Sequence, residues 1–150
     1  MRIGVIGAAE CPPDIYKTAY EVGRLVAEQK AVLVTGGLGG VMEGASKGAF
    51  ENGGITIGIL PTRDASYANP YVTIPIPTGL GHARNVIVVQ SSQLVVAISG
   101  KMGTLSEIAI ALKLGIPVIG IHTWEIDPKI RRAQSIEEVS RHMSEVIKTL

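Results

Sequence analysis

The sequence predicts an α/β domain in which helices cover both faces of a mostly parallel, doubly wound sheet. Three observations predict it. Short β-branched runs alternate with longer stretches of helical period along the whole chain. The runs are apolar at every position rather than at alternate ones, which suits strands buried on both faces. Glycine-rich turns follow several runs, where parallel strands must cross over. Together these define a Rossmann-like three-layer sandwich. With 150 residues, residues 1–150 form a single domain around one core.

Residues 3–6 are the first strand, Gly7-Ala8-Ala9 its exit, and Pro12-Pro13-Asp14 a helix entry, since the fixed φ of proline suits a first turn. Tyr16, Ala19, Tyr20, Gly23, Leu25, Val26 and Ala27 keep helical spacing up to Gln29. Residues 31–34 form the second strand, and Thr35-Gly36-Gly37-Leu38-Gly39-Gly40 the turn after it. A helix over 41–52 ends at Gly53-Gly54, and 55–60 is the third strand. Residues 61–78 break the rhythm with four prolines and an Asn69-Pro70 turn signal, leaving room for a short strand around 71–74. Loops of that length inside a small domain are often functional. Gly79-Leu80-Gly81 opens a helix over 82–91. Residues 94–98 form a strand, Gly103-Thr104 begins another helix, and 117–121 is the last predicted strand. Residues 127–134 read as a polar, exposed linker. The closing helix, 135–150, places Ile136, Val139, Met143, Val146 and Ile147 on one face, and its Ser135-x-x-Glu138 spacing is that of a capping box.

Composition excludes several classes. The chain is 46% apolar and 18% charged, below the roughly 25% charge of average domains. That excludes disorder and leaves apolar surface for a homo-oligomer, a dimer or tetramer. A net charge of +1, with no basic cluster larger than Arg131–Arg132, gives no footprint for nucleic acid. No run approaches the ~18 apolar residues of a membrane span. The apolar run in the first seven residues is too short for a signal peptide. Cys11 is the single cysteine, so an internal disulfide and a cysteine-only metal site are excluded. The expected location is the cytoplasm, with no metal site and no required cofactor.

In doubly wound sheets the ligand lies outside the carboxyl ends of the strands, where strand order reverses. The first strand and the 94–98 strand are the expected neighbours there. Their exits, Gly7-Ala8-Ala9 and Ser99-Gly100-Lys101-Met102-Gly103-Thr104, then face each other with residues 36–40 alongside. Backbone N–H groups at helix starts attract phosphate, and small residues let it approach. The candidate phosphate-binding residues are therefore Gly7, Ala8, Gly36, Gly37, Gly39, Gly40, Gly100, Gly103 and Thr104. Neither G-x-G-x-x-G nor the Walker lysine pattern is met: Met42 stands where the third glycine of a count from Gly37 and Gly39 falls. Arg84 in a first helical turn opposes the helix dipole, so a guanidinium facing an anionic ligand explains it better than local stability. The competing explanation is a salt bridge to Glu43 or Glu107. Glu43 opens the helix after residues 36–40, where the dipole favours a carboxylate. Thr104-x-x-Glu107 has capping-box spacing, which competes with a site role for Glu107. Lys101 either contacts an anion or is solvated. His82 is expected to point elsewhere, and Tyr16, Tyr20 and Trp124 to pack.

The ordered set Gly36-Gly37-x-Gly39-Gly40-Val41-Met42-Glu43, Gly48-Ala49, Ala83-Arg84-Asn85 and Gly103-Thr104-x-x-Glu107 resembles the superfamily of LOG-type proteins and molybdenum-cofactor carrier proteins, often labelled lysine decarboxylase-like. The resemblance spans nearly the whole chain and carries two functional implications. The carrier branch implies a cleft that binds the anionic pterin-phosphate molybdenum cofactor without transforming it. The LOG branch implies a phosphoribohydrolase cleaving the N-glycosidic bond of nucleoside 5′-monophosphates. There Arg84 and Glu107 would be catalytic, stabilising the oxocarbenium ion and activating water. LOG enzymes carry proline-glycine-glycine before Gly-Thr-x-x-Glu, and lysine after the arginine. Here the loop reads Ser99-Gly100-Lys101-Met102 and Arg84 precedes Asn85, a pattern more similar to the carrier branch. The first expectation is therefore a carrier for a phosphorylated small molecule, plausibly molybdenum cofactor. The second is the hydrolase, and the third an oligomeric domain whose cleft has lost its ligand.

Overall fold

Seven strands form one sheet: β1 (Arg2–Gly7), β2 (Val32–Thr35), β3 (Thr56–Leu60), β4 (Ile74–Pro77), β5 (Leu94–Ile98), β6 (Val118–Ile121) and β7 (Arg131–Ala133). The structure, a computed structural model, describes residues 1–150. Strand order is β4-β3-β2-β1-β5-β6-β7 and every pairing is parallel. The chain winds outward from β1 to β4, then returns to β5 beside β1 and winds the other way. The order thus reverses between β1 and β5, as the alternation predicted.

Five helices cover the sheet: α1 (Pro13–Glu28), α2 (Val41–Glu51), α3 (Arg84–Gln90), α4 (Met102–Leu114) and α5 (Ile136–Ile147). Val22 of α1, Ala45 of α2 and Met143 of α5 share one core with Ile3, Leu33 and Val96. Val88 of α3 and Ile108 of α4 share the other with Ile6, Val34 and Val95. Alternate residues of one strand feed opposite cores, so the strands must be apolar at both parities. Every residue of β5 is fully buried. No helix is long and apolar enough to cross a membrane.

Three predicted segments differ. The short strand is Ile74–Pro77 rather than 71–74, because threonines hold 71–73 as an irregular lead-in. The Thr56 hydroxyl donates to the Tyr71 carbonyl at 2.6 Å and accepts from the Thr73 N–H at 2.8 Å. Residues 127–134 are not all linker: Arg131–Ala133 pairs with β6 as an edge strand, and Ile130 and Ala133 are buried. Two arginines in a three-residue strand leave no apolar run to read, yet they suit an exposed edge by discouraging further pairing. The helix over 82–91 begins as a 3-10 turn, Gly81–Ala83, before α3 starts at Arg84. The closing helix is as predicted, with the Glu138 N–H donating to Ser135 Oγ at 3.2 Å.

Candidate functional site

At the reversal point the exits of β1, β2 and β5 surround a cavity of about 500 Å³. Gly7, Ala8, Gly36, Arg84, Gly103, Thr104 and Glu107 line it together with Lys101 and Asn85. Segments from four crossovers thus meet at one place.

Arg84 is only 8% exposed, and the reason it fits is Gly36. A Cβ on Gly36 would stand 2.7 Å from both Arg84 Nη2 and Met42 Sδ. Only a glycine lets the guanidinium lie across the end of β2. Arg84 Nη1 donates to Asn85 Oδ1, while buried Nε has no partner. The salt-bridge alternative fails, since the ion pairs of the chain all involve other residues. Burial draws the Arg84 pKa down from its ordinary value, with Glu107 opposing. Arginine starts so high that it stays charged. An unpaired donor on a buried cation is what a bound anion would satisfy.

Glu107 is 6% exposed on the inner face of α4. The capping-box alternative also fails, because α4 begins at Met102 and puts Thr104 inside the helix instead of at its cap. Burial pushes the Glu107 carboxyl up to about 8, against the pull of Arg84. It is therefore protonated and neutral near pH 7. A carboxyl whose folded pKa is raised favours the folded state most below its ordinary value near 4.5, and that contribution is lost as pH rises through about 8. Glu107→Gln is expected to flatten the fall in stability between pH 5 and pH 9. Urea unfolding at both pH values measures it, and an unchanged slope would show that Glu107 is not the titrating group.

The remaining glycines do something else. A Cβ on Gly40 would lie 2.3 Å from the Ala8 carbonyl oxygen, and one on Gly39 2.9 Å from that of Ala9. Gly37 backs onto Leu60, and Gly100 makes room for the Thr104 hydroxyl. Gly37, Gly39, Gly40 and Gly100 shape the wall without lining the cavity. Glu43 is turned toward Tyr16, whose phenol is pushed up to about 12 by burial and by that carboxylate. It does not line the cavity.

His82, expected to point away, lines the cavity because residues 81–83 form a 3-10 turn and the α-helical offset from Arg84 does not apply. Leu38, Met42 and Pro61 supply apolar wall that motif reading does not register. Asn69 secures Leu38 by donating its side-chain N–H to the Leu38 carbonyl at 3.0 Å. No group of three or more His, Cys, Asp or Glu side chains gathers in metal-binding geometry.

The chain is a doubly wound α/β domain with a small-residue cavity at its reversal point, the place where such sheets take ligands. The chain belongs to the SLOG cluster4 family, whose model matches residues 1–149. It is 40% identical to the molybdenum cofactor binding protein from the phototrophic bacterium Rippkaea orientalis, with a TM-score of 0.91 over 97% of this chain and 96% of that one. It is 35% identical to the Moco carrier protein from Chlamydomonas reinhardtii, with a TM-score of 0.89 over 99% and 98%. An uncharacterised protein of Archaeoglobus fulgidus is 54% identical over 138 residues, 92% of this chain and 91% of the relative. These likenesses put the chain in the carrier-like branch of the superfamily that its motifs resemble.

Proposed function

We propose that this protein binds and carries a phosphate-bearing pterin, the molybdenum cofactor, without transforming it. The observation that carries the reading is the buried Arg84 guanidinium, which has an unpartnered Nε and no carboxylate paired to it. A fixed cation without a protein counter-ion favours an anionic ligand. The cavity of about 500 Å³ falls within the roughly 300–1,000 Å³ of small-molecule sites. Arg84 would grip phosphate oxygens through its planar fork. The N–H groups at the start of α4 supply further donors, since the first turn has no intrahelical acceptors. Leu38, Met42 and Pro61 offer apolar surface to the pterin. A neutral Glu107 adds no repulsion. The likeness to the molybdenum-cofactor proteins above supports the same ligand.

The hydrolytic alternative needs Glu107 as a base at neutral pH. A carboxyl pushed up to about 8 is mostly protonated there. The deciding experiment has two arms. Purified protein incubated with molybdenum cofactor and desalted is expected to retain molybdenum and pterin in equal amounts. Incubated with adenosine monophosphate, it is expected to release no adenine. Adenine release that disappears in Glu107→Ala, with no cofactor retained, would replace the carrier reading by the hydrolase.

A further inference from the structure

The loop closing the cavity on the β5 side is strained. Ser99 has φ +48° although it carries a side chain, and Gly100 follows at φ +98°. Non-glycine residues hold positive φ only where the surroundings fix them. Here the fixing groups come from the turn after β6. The Thr123 hydroxyl donates to the Ser99 carbonyl at 2.6 Å. The Trp124 indole Nε1–H donates to the Lys101 carbonyl at 3.2 Å. The Ser99 N–H also donates to the Ile121 carbonyl at 3.1 Å.

β6 flanks β5 on the side opposite β1, so these bonds tie the loop to the crossover beyond β5. The Lys101 carbonyl also accepts the Leu105 N–H at 3.0 Å, the first bond of α4, so the Trp124 contact joins the start of that helix to the same crossover. Lys101, Gly103 and Thr104, which follow the anchored Ser99-Gly100 turn, line the cavity, while Gly100 and Met102 do not.

We infer that Thr123 and Trp124, neither of which lines the cavity, are positioning residues that hold the Ser99–Met102 loop so that Lys101, Gly103 and Thr104 stand at the anionic end of the ligand. The inference rests on the binding reading above and adds to it what fixes the β5 rim of the cavity. Thr123 and Trp124 touch the loop and not the ligand.

The test compares Thr123→Val, Thr123→Ser and Trp124→Phe with the unaltered chain. Two quantities are read: the Kd for molybdenum cofactor, and the NMR shifts of the Gly100 and Gly103 amides in the free protein and under titration with inorganic phosphate. Thr123→Val and Trp124→Phe are expected to weaken binding about five- to ten-fold, the worth of one ordinary hydrogen bond. Thr123→Ser, which keeps the hydroxyl, is expected to bind as the unaltered chain does and to keep its Gly100 shift. Unchanged Kd in both Thr123→Val and Trp124→Phe overturns the inference, and so does a loss in Thr123→Ser equal to that in Thr123→Val. If the unaltered chain binds neither cofactor nor phosphate, the binding reading fails. The free-protein shifts then judge the loop contact alone, and an unmoved Gly100 amide in Thr123→Val overturns it. Should Thr123→Val fail to fold, Trp124→Phe carries the comparison.

Discussion

Arg84→Met is expected to abolish cofactor retention while leaving the fold as stable as before, or more so. The two effects have one cause. A guanidinium that is 8% exposed and lacks an ion-pair partner is a destabilised charge in the free protein. Replacing a buried charge by an apolar side chain of similar size is often neutral or stabilising. Methionine also spares the contact with Gly36, which needs only a slender side chain across it. Glu107 becomes still harder to ionise without its cationic neighbour, so no lone buried anion is left behind. In the complex the balance reverses. Removing one partner of a buried, charge-assisted hydrogen bond costs about 2–5 kcal/mol of binding, roughly thirty-fold or more in Kd. Arg84→Lys is expected to recover little, because an ammonium lacks the planar fork that meets two phosphate oxygens. Calorimetric titration and thermal unfolding of the same samples measure both halves. Binding by Arg84→Met at the unaltered Kd would remove the central support for the proposed function.

Gly48→Ala is the second large effect, and it acts on the scaffold. A Cβ at Gly48 would lie 1.9 Å from the Tyr20 carbonyl oxygen, and one at Gly23 2.0 Å from that of Ala45. The α1 and α2 backbones therefore touch directly. In an exposed helix the same substitution gains about 0.5–1 kcal/mol from alanine's propensity. Here the obstacle is a carbonyl of the facing helix, which cannot rotate aside as a side chain does. Overpacking costs about 1–3 kcal/mol and occasionally more, so the net expectation is a loss of about 2 kcal/mol and a Tm lower by about 5 °C. Gly44→Ala is a graded control, since its Cβ would stand at 2.8 Å from the Tyr16 carbonyl oxygen. It is expected to lose less. Equal Tm values for the two variants would contradict the backbone-contact account. The contact also matters for the site, because Val41 at the head of α2 donates its N–H to the Ala8 carbonyl at 3.0 Å.

The fold was legible because its signals are local. Buried strands such as Leu94–Ile98 are continuous apolar runs, and Ser135-x-x-Glu138 marks a helix start wherever it leads a helix. β7 was not legible, because Arg131–Ala133 becomes a strand only through the open edge that β6 offers. Thr104-x-x-Glu107 has the spacing of Ser135-x-x-Glu138 but a different meaning. The helix starts at Met102, so the same letters fall one turn further in and face the cavity. Where a helix begins is set by the strained Ser99-Gly100 turn and its anchors on the next crossover, which no local pattern carries.

By itself the sequence determined a parallel, three-layer domain whose strand exits are made of small residues, with an arginine placed against its helix dipole. Tertiary structure alone decided which glycines face the cavity, as Gly36 and Gly103 do, and which admit a neighbouring segment, as Gly37, Gly39 and Gly40 do. The physical reason is that a missing Cβ serves both purposes equally. What separates them is the distance to atoms tens of residues away in the chain.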